Sequence, residues 1–191
     1  MMYYVKSLPT SEQFQGLLDG AARVDPEWVT VVKFAYQAGI KSSTGRHLRA
    51  DDLVDEWMTL KPQLSGCTLR RRLPEDVLKH LRSLPKATTH YCPRLHAMST
   101  SKFHNEWRQV CKEANYYIQL VALTWHYRDT HRDELRWERA QGYLDALAKK
   151  WLSGPEIEKL RADAKDWALR PPKSGNRSRR RTRAQLVVLL R

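Results

Sequence analysis

Apolar residues recur along most of this chain at helical spacing. Thr10-Ser11-Glu12-Gln13 has the form of a capping box, with Gln13 three residues after Thr10, and predicts a short helix through Phe14, Leu17 and Leu18. Asp25-Pro26-Glu27 is a stronger start. Asp suits the N-cap, Pro has no N–H to lose in the first turn, and Glu sits at the positive end of the helix dipole. Behind it Trp28, Val31, Val32 and Ala35 follow i, i+3, i+4, i+7 spacing, and Gly39 stands at a plausible end. A third helix is predicted over about 43–58, with Ala50, Leu53, Val54 and Trp57 as its apolar face and Lys61-Pro62 as its stop.

Residues 62–100 are less regular. They hold an extended piece at 67–72 and a short helix from Pro74, and Pro85 and Pro93 punctuate the rest. The two longest elements follow. From about Ser101, the residues Phe103, Trp107, Val110, Ala114, Tyr117 and Val121 make one stripe on a helix of roughly seven turns. From about Asp133, the residues Ala140, Tyr143, Leu144, Leu147 and Trp151 do the same. Ser153-Gly154-Pro155-Glu156 ends that helix and opens a short last one, reaching about Trp167, before Pro171-Pro172. No internal repeat is visible. Two short antiparallel helices and two long ones, each with one apolar stripe, can bury those stripes together. The expected fold is therefore all-α: a four-helix bundle with short extra helices over 1–169, then an extended basic C-terminal tail over 170–191.

Composition adds a charge to that picture. The chain has 191 residues, 41% of them hydrophobic, which supports one folded domain rather than disorder. Lys and Arg number 34 against 21 Asp and Glu, a net +13. The tail holds Arg170, Lys173, Arg177, Arg179, Arg180, Arg181, Arg183 and Arg191 with no acid, so 13 − 8 leaves +5 for the body. Such a surplus suits a polyanionic partner, here nucleic acid. The three cysteines, Cys67, Cys92 and Cys111, are odd in number and far apart, so a disulfide framework is not expected and a reducing compartment is. The N-terminus has no long apolar core, so no signal peptide is expected, and the apolar run at 186–190 is too short to span a bilayer, so no membrane partner is either.

Candidate chemistry is sparse. His90, Cys92, His96, His104 and Cys111 invite a zinc reading, but only Cys92 and His96 have ligand spacing, and the simpler expectation is polar loop residues with a core cysteine and no metal. There is no Gly-x-Ser-x-Gly, no His-Glu-x-x-His and no phosphate-cradling glycine loop, so neither an enzyme nor a cofactor is expected. The segment 126–139 interleaves Arg, His and aromatics between the two long helices. Its Arg128, Arg132, Arg136 and Arg139 are candidate phosphate contacts, because guanidinium pairs with phosphate bidentately and the aromatics can stack on bases. Local ion pairing explains the segment poorly: Arg132–Arg136 and Glu134–Glu138 are like-charge neighbours four apart.

The order of these signals resembles the coat proteins of rod-shaped plant RNA viruses, the tobamovirus-like family. The counterparts are Tyr3-Tyr4, Pro9 with Gln13-Phe14, Asp25-Pro26, Asp55-Glu56-Trp57, Lys61-Pro62, Arg72-Leu73-Pro74-Glu75-Asp76 and the late Trp167. The resemblance implies a four-helix bundle lying radially in a helical rod, with single-stranded RNA held between stacked copies of the chain. It places an RNA-contacting arginine on Arg46, matches His131-Arg132-Asp133-Glu134 to the family's basic helix start, and offers Asp55 and Glu56 as carboxylates facing each other between subunits. The implied role is a capsid protein that polymerises helically around single-stranded RNA, located in the virion and assembled in the host cytoplasm. The alternative is a non-assembling helical nucleic-acid binder, such as a regulator or silencing suppressor. The basic tail and the pI of about 9.9 depart from the family pattern.

Overall fold

In a computed structural model of the chain, the residues described are 9–61, 68–85, 89–151, 155, 158, 159 and 162. The first helices begin where their capping chemistry dictates. The Thr10 hydroxyl accepts from the Gln13 N–H at 3.2 Å while the Gln13 side chain accepts from the Thr10 N–H at 2.9 Å, which opens α1 (Ser11–Val24). Asp25 stops α1 and caps α2 (Pro26–Ala38), its carboxylate accepting from the Glu27 N–H at 2.9 Å. Gly39 ends α2 at φ 59°, a left-handed conformation that leaves no room for a Cβ, which would run into the Tyr127 ring.

The chain from 43 to 58 is not a helix. It forms a single turn, α3 (Ser42–Gly45), a 3₁₀ turn (Ala50–Asp52), and the first half of a sheet. Strands β1 (Leu53–Val54), β2 (Trp57–Leu60) and β3 (Leu69–Arg72) pair antiparallel in the order β1-β2-β3. Val54 faces Trp57 across a two-residue turn in which Asp55 takes φ 56°, and Asp is one of the few residues that tolerates this. The spacing of Leu53, Val54 and Trp57 fits a helix face, but the same residues suit a strand–turn–strand, and burial decides. Met58 and Leu60 go inward and Trp57 outward, a period of two. The expectation of an all-α four-helix bundle is corrected accordingly: the protein is helical with a small three-stranded sheet.

A second correction concerns the first long helix, which is broken in two. α6 (Thr100–Glu113) ends at Asn115, φ 49°, where the Asn115 N–H bonds Lys112 O at 3.1 Å and the Tyr116 N–H bonds Cys111 O at 3.0 Å. This is a Schellman stop with Asn in the position usually held by Gly. Residues 116–119 lie outside any helix or strand, with Gln119 extended, before α7 (Leu120–Thr130). α8 (Arg132–Trp151) follows directly, close to the predicted start. α4 (Glu75–Ser83) and the short α5 (Pro93–Ala97) complete the order. The boundary at 169/170 and the basic tail lie outside the described residues, as does most of the predicted last helix.

α2 organises the interior by burying two faces. Trp28, Val31, Val32 and Ala35 pack with Leu17 and Ala21 of α1, with Phe103, Trp107 and Val110 of α6, and with Leu123 of α7. Phe34 and Ala38 pack instead with Ile40, Leu48, Met58, Leu60, Leu73 and Val77, the core beneath the sheet and α4. α1 and α6 meet closely at Gly20, where a Cβ would stand 2.9 Å from Ala114 N and Val110 O. Among the described residues no helix is long and apolar enough to cross a membrane.

Candidate nucleic-acid interface

The connection between α2 and the sheet carries Arg46, His47 and Arg49, with Leu48 buried between the last two. An antiparallel bridge pairs Arg49 with His90 and draws the approach to α5 against this connection. His96 of α5 thereby reaches His47: their Nδ1 atoms lie 2.8 Å apart, with the rings edge to face. His90 stacks on His96 with 3.9 Å between ring centroids. The guanidinium of Arg46 donates from Nε to His47 Nε2 at 3.1 Å and from Nη1 to Met98 O at 3.0 Å, and lies over the Phe103 ring at 4.8 Å. No carboxylate of the described residues pairs with it. Asp52, the nearby buried acid, is committed to Lys61 at 3.0 Å and to the Arg49 N–H at 2.9 Å.

These surroundings favour the neutral form of His47 and His90. Burial pushes the pKa of His47 down, and the positive charge of Arg46, then His96 and His90, pushes the same way. His90 is also lowered, by burial and by His96 and Arg49, with Asp52 acting in opposition. The arrangement is a half-buried cation beside uncharged imidazoles. It can hold an anion.

The corner between α7 and α8 is built differently. Tyr36 stacks on His126 at 4.3 Å and Tyr127 on His131 at 4.0 Å, which fixes the two sides of the turn. Arg128 is half-buried, Arg132 is exposed, and Arg136 pairs with Asp133 at 3.5 Å. Arg139 is exposed and its charge acts on the neighbouring Glu138. Glu138 itself faces inward and takes a bidentate ion pair with Arg71 of β3, at 2.8 and 3.1 Å, which ties α8 to the sheet. Burial pushes the Glu138 carboxyl up against the pull of Arg71. Trp125 and Val121 stand exposed one turn apart on α7.

The five predicted arginines thus fall into two places, Arg46 in the histidine cluster and Arg128, Arg132, Arg136 and Arg139 on the corner. Asp55 and Glu56 form the β1–β2 turn rather than a helix end, and Glu56 pairs with Arg72 of its own chain at 2.9 Å. Cys92 does not join His96 in a ligand pair. Its thiol is fully buried against Glu27 O, and burial pushes its pKa far up. Among the described residues no group of histidines, cysteines and carboxylates is arranged to hold a metal. The reading of 126–139 missed the inward turn of Glu138, and nothing in the spacing brings His47, His90 and His96 together.

No protein-family model and no curated protein matches the sequence. Solved structures do match by fold. The chain superposes on the lambda integrase catalytic core with a TM-score of 0.54 and 11% identity, covering 68% of this chain and 85% of that one. On a lambda integrase bound to DNA the TM-score is 0.56 and the identity 12%, covering 70% of this chain and 55% of that one. On XerA recombinase the values are 0.54 and 12%, covering 91% and 68%. At such identities the likeness is one of fold.

It overturns the coat-protein resemblance, and with it the capsid role, the helical rod and single-stranded RNA as the partner. The signals behind that resemblance have general causes: Asp25-Pro26 starts a helix in any fold, and Trp57 sits on a strand. The expectation of a chain without chemistry is corrected too, because the matching structures are of integrases and a recombinase, one of them a catalytic core. The non-assembling regulator or silencing suppressor finds no counterpart among them.

Proposed function

We propose that this chain is a DNA-binding domain of the integrase and recombinase type, acting on duplex DNA. The observation that carries the proposal is the fold it shares, over 70% of its length, with an integrase that holds DNA. The charge of +13 supports it, since neutralising phosphates releases counterions and supplies most of the affinity of such proteins. Arg46, Arg128 and Arg132 are the proposed backbone contacts within the described residues, with Arg136 and Arg139 flanking them. Contacts of this kind set position on the duplex without reading sequence.

Fluorescence anisotropy with a labelled DNA duplex and a single-stranded RNA of equal length tests the proposal. The duplex is expected to bind more tightly, with the logarithm of the affinity falling linearly against the logarithm of salt by about 0.9 per phosphate engaged. Equal or tighter binding of the RNA, or no binding of the duplex at low salt, rejects it.

A further inference from the structure

Hydrogen-bond logic assigns the protons in the histidine cluster. Arg46 Nε always carries a hydrogen, so His47 Nε2, 3.1 Å away, must accept it and is unprotonated. A neutral His47 then carries its proton on Nδ1 and donates it across 2.8 Å to His96 Nδ1. His96 in turn must hold its own proton on Nε2. The chain therefore runs one way, from Arg46 through His47 to His96, and ends on an N–H donor that no described residue accepts. Arg46 has the same surplus: with Nε on His47 and one Nη1 hydrogen on Met98 O, three of its five N–H donors find no acceptor in the described structure. Phe103 beneath the guanidinium and the Met98 carbonyl fix where those donors point.

From this geometry we infer that Arg46 and His96 form a phosphate-oxyanion site, held ready by His47 between them. A DNA phosphodiester is the occupant under the proposed function, on which that identification rests, and free phosphate presents the same oxygens. The cation is half-buried, prepositioned and lacks a carboxylate, so an arriving anion gains charge-assisted hydrogen bonds at little ordering cost. The charged and titratable groups around the site are Arg46, Arg49, His47, His90 and His96, with Arg49 paired to Asp51 at 3.6 Å and Asp52 drawn off by Lys61 and the Arg49 N–H. A further proton on either ring of the His47–His96 pair breaks one link of the chain, so the assembled site belongs to the neutral pair.

Long-range proton–nitrogen correlation spectra of the full chain, labelled with nitrogen-15 histidine, test the inference. His47 is expected as the Nδ1–H tautomer and His96 as the Nε2–H tautomer. Inorganic phosphate should shift the His96 Nε2 resonance more than chloride does at the same ionic strength, and leave the exposed His104 unmoved. Arg46→Gln should abolish that response and weaken duplex binding about tenfold, the size of one charge-assisted contact. Arg46→Lys should keep part of the DNA affinity while the His47 tautomer is lost. An Nε2–H tautomer at His47, a phosphate response no larger than that to chloride, or an intact response in a folded Arg46→Gln variant overturns the site. If the phosphate response holds while the chain ignores duplex DNA, the DNA occupant is rejected and the oxyanion site stands.

Discussion

Arg71 and Arg46 are both arginines withdrawn from solvent, one at the sheet–α8 junction and one at the α3–α5 junction, and their surroundings differ in kind. Around Arg71 the charge is matched by a carboxylate and four of the five N–H donors have acceptors. Nε and Nη2 grip Glu138, Nη1 bonds Ala38 O at 2.8 Å, and the guanidinium lies 5.5 Å from the Tyr127 ring. Four elements meet there: the end of α2, β3, α7 and α8. Around Arg46 the partners are imidazole, carbonyl and phenyl groups, none of them charged, and donors remain. A cation whose charge is matched by a buried carboxylate is structural. One held in place but unmatched is complete only with a ligand or water.

The largest effect expected from breaking that contrast is at Arg71. Both partners of its ion pair are about nine-tenths buried, with side-chain exposures of 9% and 10%. Removing one leaves the other as an uncompensated buried charge, at a cost of about 3–5 kcal/mol. Arg71→Met should lower stability by that much in urea unfolding. Arg71→Met combined with Glu138→Leu should recover most of it, because the desolvation that raises the Glu138 carboxyl disappears with the charge. A loss below about 1 kcal/mol in the single variant, the range of an exposed pair, would mean the junction is open to water.

Gly20→Ala should come next, at about 1–3 kcal/mol, the usual cost of overpacking. The new methyl meets Ala114 N and Val110 O at 2.9 Å, and backbone atoms yield less readily than side chains. A shift in urea midpoint without a change in slope checks this.

These two regions also differ in how much the sequence discloses. The helical core around Trp28 is legible: the capping box at Thr10, the Asp25-Pro26 start and the stripes of Trp28, Val31, Val32 and of Phe103, Trp107, Val110 all stand where spacing puts them. The sheet is not, because Leu53, Val54 and Trp57 have apolar spacing that a strand–turn–strand satisfies as well as a helix. Asn115 hid the break between α6 and α7, since nothing local distinguishes a helix-stopping Asn from an exposed helical one. The candidate site is less legible still. Arg46 is pointed to only by a mistaken resemblance; its partner Met98 lies 52 positions away, and His96, the partner of His47, lies 49 positions from that histidine. That closeness follows from the Arg49–His90 bridge, which no periodicity encodes.

A smaller stability effect is expected at Arg46 itself. Arg46→Ala removes one bond to Met98 O and one to His47, at about 1 kcal/mol for a part-buried group. Its effect on duplex affinity should exceed its effect on stability. Arg71→Met should show the reverse order when each variant is measured both ways, by anisotropy and by urea unfolding. A larger effect of Arg46→Ala on folding than on binding would place Arg46 with Arg71 as a structural cation.

The smallest effect is in the pH dependence of stability, and it separates the two arginine regions by sign. His80, bonded to Thr30 at 2.8 Å, His47 and His90 all have pKa values lowered in the folded protein, chiefly by burial. The unfolded chain therefore binds protons first. Their contribution to stability is complete above the ordinary value of 6.5 and is lost as pH falls through it towards the lower folded values. Glu138 acts the opposite way. Its folded pKa is raised above the ordinary 4.5, so its contribution is complete below 4.5 and is lost as pH rises through the folded value. Urea midpoints followed from neutral to mildly acid pH should fall in the wild type. They should fall less in His80→Gln, the more buried case, and less by a smaller margin in His47→Gln. In the Arg71→Met, Glu138→Leu double variant the fall should be steeper than in wild type, because the compensating gain from Glu138 is gone. A midpoint that rises on acidification in the wild type would mean that Glu138, not the histidines, dominates.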